Sequence, residues 1–184
     1  MSEQQLIYHC APTLAGIKTG NLFSIPCRDK AELVEGIRRL NRRLAPKGVR
    51  IVPMRYSERW ALLYVYRPQA LSEDLSDAEV CALMREAGYE GCSPNRCVCE
   101  LSRRLKQREE FPHEIGLFLS YPAEDVRGFI EHRGNNYKCS GCWKVYGDPD
   151  KAKKTFDSYK LCTACCCAKW EEGTSLESLT VAGS

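Results

Sequence analysis

Cys139 and Cys142 form one C-x-x-C pair, Cys162 and Cys165 form a second, and residues 143–161 separate them. That spacing lies in the range of four-thiolate metal sites. Two thiolates two residues apart can chelate an ion from a single turn. The second pair would close a tetrahedron with sulfur about 2.3 Å from zinc, or hold an iron–sulfur cluster. Zinc or an iron–sulfur cluster is therefore the expected cofactor, with Cys139, Cys142, Cys162 and Cys165 as ligands. The competing reading is that some of these thiols are buried and pack as small hydrophobes.

Two further constellations could do chemistry. Tyr8, His9 and Cys10 precede Pro12, with Lys18 a short distance on. A nearby histidine or lysine cation lowers a thiol's pKa, which makes Cys10 a candidate nucleophile. Phe111-Pro-His-Glu-Ile-Gly sets His113 and Glu114 in a first helical turn, as candidate general base and carboxylate. The helix dipole by itself accounts for Glu114. A zinc-protease motif is excluded, because Leu117 stands where H-E-x-x-H needs its second histidine. Cys92, Cys97 and Cys99 match no common site, and Cys97 falls on an apolar stripe. Gly16 to Asn21 could present N–H groups to an anion, but neither the phosphate loop nor the dinucleotide-binding glycine turn is present, so no nucleotide cofactor is expected.

The elements that position these residues follow from periodicity and punctuation. A helix covers the start of the chain and breaks into a loop at Gly16 to Asn21, and Leu22 to Pro26 reads as a strand. Asp29 and Glu32 open a helix whose stripe is Leu33, Ile37, Leu40 and Leu44, closed by Pro46 and Gly48. Val49 to Arg55 and Trp60 to Tyr66 form a hairpin, and the second run, apolar on both faces, is an inner strand. Ser76 and Glu79 box a helix burying Val80, Leu83, Met84 and Ala87. Ser93-Pro94 caps another, carrying Cys97, Val98, Leu101 and Leu105 inward. Short helices run from Pro112 to Leu119 and from Pro122 to His132. Tyr137 to Tyr146 reads as a strand. Asp148 and Pro149 then start a helix to about Trp170, with Ala152, Phe156, Tyr159, Thr163 and Cys166 as its stripe. Cys162 and Cys165 share one side of that helix. The class is α+β: a small antiparallel or mixed sheet of about four strands packed with several helices. One domain over residues 1–184 is expected, in which the helical portion 70–133 could pack as a lobe.

The chain has 184 residues, enough for a real core, and a net charge of +3, too small to imply a nucleic-acid partner. The basic clusters Arg38, Arg39, Arg42, Arg43 and Arg103, Arg104, Lys106, Arg108 lie on amphipathic helices, as solvated faces do. No segment has the length of a membrane span, and the N-terminus is no signal peptide, so a cytoplasmic protein is expected. Twelve cysteines in a reducing compartment read as ligands, reactive thiols or core residues before disulfides. A protein partner stays open.

Five stretches together resemble the family known as domain of unknown function 3793: Tyr8 to Lys18, Leu44 to Gly48, Ala61 to Arg67, Phe111 to Leu119 and Trp143 to Asp148. The resemblance spans nearly the whole chain. It implies a cytoplasmic protein of an anaerobic, clostridial-type bacterium and names no catalytic residue. Cys10 and Trp143-Lys-Val-Tyr146 belong to the family pattern, whereas the dense cysteines at 165 to 167 do not. The leading expectation is a thiol-rich protein that binds a metal or cluster and serves metal handling or redox adaptation. An enzyme built on Cys10, with His113 and Glu114, and a non-catalytic interaction module with structural cysteines stay open beside it.

Overall fold

A computed structural model describes residues 1–89, 93–107 and 110–183. Its centre is a three-stranded antiparallel sheet, β1 (Gly20–Pro26), β2 (Arg50–Tyr56) and β3 (Trp60–Tyr66), in the order β1-β3-β2. Strand β3 is central because both of its faces are apolar. Ala61, Leu63 and Val65 enter one core, and Leu62, Tyr64 and Tyr66 enter the other. This is the two-residue alternation of a strand buried on both sides. Pro53 lies on β2, an edge strand, where a missing N–H is tolerated, and the register shifts between Pro53 and Arg55.

The first core is covered by α1 (Glu3–Leu14) and α2 (Lys30–Leu44). A reciprocal Ser2–Gln5 capping box starts α1. Asp29 caps α2 by accepting from the Ala31 and Glu32 amides, and Leu33, Ile37, Leu40 and Leu44 are its buried stripe. The second core is covered by α3 (Pro68–Asp74), α4 (Ala78–Glu86), α5 (Pro94–Gln107), a 3-10 turn at His113–Leu119 and α6 (Ala123–Glu131). Helix α3 was not expected from the sequence; Pro68 at its first position and buried Leu71 make it. The cap of α4 is Asp77 rather than Ser76, because the Ser76 hydroxyl donates back to the Ser72 carbonyl at 2.7 Å. Leu83 and Met84 are buried in α4, while Val80 and Ala87 are only half-buried.

The strand expected over Tyr137 to Tyr146 is a hairpin of two short strands, β4 (Cys139–Ser140) and β5 (Lys144–Val145). It forms a sheet of its own, so the expected four strands are three plus two. Gly141 makes the reversal possible: a Cβ there would lie 2.3 Å from the Phe156 ring. The hairpin packs Trp143 and Val145 on Ala152, Phe156 and Tyr159 of α7 (Pro149–Glu171), a third core. Asp148 caps α7 through the Asp150 and Lys151 amides. Farther along, α7 turns Cys166 into the first core, against α1. A short helix α8 (Leu176–Leu179) closes that side.

Candidate functional site: an aromatic cavity beside the hairpin

The 3-10 turn, α6 and the hairpin enclose a cavity of about 480 Å³ lined mainly by Phe111, Pro112, Ile115, Tyr121, Phe129 and Trp143. Its walls are fixed by hydrogen bonds and close packing. Asp125, buried on α6, accepts from Trp143 Nε1 at 2.7 Å and from the Tyr146 and Gly147 amides at 2.7 and 2.8 Å. One carboxylate thus holds the indole and the outgoing strand of the hairpin together. Gly128 leaves room for Tyr146, since a Cβ there would meet its ring at 2.4 Å. The Trp143 ring stacks on Tyr121 with centroids 4.8 Å apart and meets Phe156 edge-on at 4.5 Å.

Few polar groups face this space. The Asp125 oxygens are spent on the hairpin, and the Lys144 ammonium donates to the Gly134 carbonyl at 2.7 Å while lying 5.8 Å from the Phe129 ring. His113 is exposed and meets Phe129 edge-on at 5.3 Å. The described lining contains no cysteine, serine or threonine. The arrangement can hold a flat apolar body and offer an imidazole at its edge.

The catalytic candidates do not converge. Cys10 is fully buried in the first core, and burial pushes its thiol far above the ordinary range. His9 turns away to stack on Phe23, centroids 4.7 Å apart. Glu114 points opposite to His113: it is buried, pairs with Arg104 at 2.8 Å and accepts from the Tyr89 hydroxyl at 3.2 Å. Cys10 and Glu114 thus lie on opposite sides of the central sheet.

The four expected metal ligands are not gathered into one group in this structure. The hairpin carrying Cys139 and Cys142 packs on Ala152, Phe156 and Tyr159, and Cys162 and Cys165 lie about 4.5 and 9 Å beyond Tyr159 along the α7 axis at about 1.5 Å per residue. Cys139 packs on the third core and Cys142 is exposed in the turn. Cys162 packs against the first core and Cys165 faces outward. Burial and the neighbouring Cys166 push the Cys162 thiol up to about 11. Among the described residues no three His, Cys, Asp or Glu side chains form a group that could hold a metal ion. Cys97 is buried and Cys99 exposed; Cys92 and Arg108 lie outside the described residues. At the Gly16 loop, the Gly16 and Ile17 amides donate to the Thr13 and Pro12 carbonyls, completing the end of α1.

Sequence reasoning missed the cavity residues Tyr121, Phe129 and Trp143 and the buried clamp Asp125. Trp143 stood in the family pattern, and the others showed only an aromatic or an acid in a short segment, with nothing local to say that they meet.

Fold and cavity together define an α+β domain in which a small hairpin completes an apolar, aromatic-walled recess. The chain belongs to the family described as protein of unknown function (DUF3793), whose model matches residues 6–180. No curated protein and no solved structure matches it. No helix among the described residues is long and apolar enough to cross a membrane.

Proposed function

We propose that this domain binds a flat, largely apolar small molecule between the 113–119 turn, α6 and the hairpin. The observation that carries this reading is the aromatic cavity of about 480 Å³ whose Trp143 wall is held rigid by Asp125. Sites for small ligands are concave, mostly apolar and largely pre-formed, with a few polar groups to orient the guest. His113 at the rim supplies such a group, and its role in this reading is recognition.

The test uses Trp143 as its own reporter. Replacing Trp60 and Trp170 by Phe leaves Trp143 as the single tryptophan. Titration with an apolar naphthalene dye is expected to quench Trp143 saturably at one dye per chain. Ile115→Phe, which fills the cavity, is expected to weaken the dye about tenfold or more, since overpacking a formed site costs ~1–3 kcal/mol. Trp143 emission that stays unchanged at saturating dye would overturn the proposal.

A further inference from the structure

Lys18 follows α1 and the Gly16 turn, and its side chain is driven inward with only 8% of the residue exposed. Lysine is almost never buried without a partner. Here the ammonium makes no hydrogen bond and no ion pair among the described residues; instead it lies over two rings, 5.6 Å from the Tyr121 centroid and 5.4 Å from that of Tyr159. The carboxylate of Asp74 is engaged by the neighbouring residue, accepting from the Thr19 hydroxyl at 2.6 Å. The nitrogen is nevertheless not sealed off. Among the described residues the fully enclosed side-chain nitrogens and oxygens without a partner are the Tyr56 and Tyr146 hydroxyls, and Lys18 Nζ is not one of them.

A buried stem, an amine that is not fully enclosed and no counter-charge are the features of a nucleophilic lysine. We propose that Lys18 is a reactive amine that condenses with small aldehydes. The proposal does not rest on the cavity reading, although Tyr121 borders both places. Burial favours the neutral amine and lowers the Lys18 pKa, against the smaller opposing pull of the Cys142 and Cys10 sulfurs. The groups facing it are Cys10 from α1, Tyr121, Cys142 from the hairpin turn and Tyr159 from α7. In the step itself, the Nζ lone pair forms a bond to the carbonyl carbon while the C=O π pair moves to oxygen. That oxygen takes up a proton and the nitrogen loses one, giving a carbinolamine. Loss of its hydroxyl with a proton releases one water and leaves a C=N bond.

Reductive trapping reads this directly. The full chain at neutral pH is treated with acetaldehyde and cyanoborohydride for short times, and N-ethylation is mapped by peptide mass spectrometry. Lys18 is expected to be labelled severalfold faster than Lys160, whose side chain is 77% exposed. In denaturing urea the two rates are expected to become equal. Native Lys18 reacting no faster than Lys160 would overturn the proposal. So would an excess that persists in urea, because it would then belong to the local sequence and not to the folded site. Neither arm needs a variant, so misfolding cannot blur the result.

Discussion

Asp125 spends its carboxylate on three N–H donors from one hairpin while buried among apolar groups. An asparagine there would keep one acceptor oxygen and turn an NH₂ toward one of the donors. Asp125→Asn is expected to destabilise the domain by about 2–4 kcal/mol in urea unfolding, because a buried charge-assisted bond is lost and a donor is left unmatched. Trp143 emission should shift toward that of a solvated indole before global unfolding, since the indole loses its anchor. At the same scale, neighbouring residues diverge: His113 faces the cavity rim and Glu114 the Arg104 guanidinium. Adjacency along the chain therefore says little about shared chemistry.

Helix α7 serves two partners in succession. Ala152, Phe156 and Tyr159 seat the hairpin, and the Cys162 to Trp170 portion packs against the first core. The two C-x-x-C pairs consequently belong to different packing units. In a double-mutant cycle under reducing conditions, Cys139→Ala and Cys162→Ala are expected to be additive within about 0.5 kcal/mol, as for sites without shared partners. Cys162 and Cys166, one turn apart with interacting thiols, are expected to couple. Strong coupling between Cys139 and Cys162, with loss of a bound ion in either single variant, would instead restore a shared thiolate site.

Across the whole molecule, one arginine from each basic cluster and one buried arginine act as staples. Arg43 reaches from α2 to both Glu3 of α1 and Glu177 of α8, and Arg104 ties α5 to Glu114. Among the described residues Arg67 has no carboxylate partner; it donates to the carbonyls of Thr13, Leu14, Lys47 and Val181, gathering the end of α1, the turn after α2 and the C-terminal segment. Arg67→Met would leave these acceptors unmatched. It is expected to cost at least ~3 kcal/mol in chemical unfolding, at ~1–3 kcal/mol for each buried group left without a partner. Arg67→Lys, with a compact ammonium in place of the planar fork, should recover only part of that loss.

Much of the frame was legible in the chain itself. The apolar run of Trp60 to Tyr66 announced a strand buried on both faces, and Asp29, Asp148 and Pro149 marked helix starts, because caps and periodicity act over a few residues. The α+β class followed from the order of those elements. Local signals fell short where a partner distant in sequence decides the outcome. Whether Ser76 or Asp77 caps α4 turned on the Ser72 carbonyl, and whether residues 137–146 run straight or fold back turned on the Phe156 ring beneath Gly141. The same holds for the candidate sites. Cysteine spacing names possible ligands, but only the packing of the hairpin on α7 decides which sulfurs come near one another. The aromatic recess and the unpaired amine of Lys18 likewise exist only where segments far apart in the chain converge, since burial and convergence are properties of the tertiary structure.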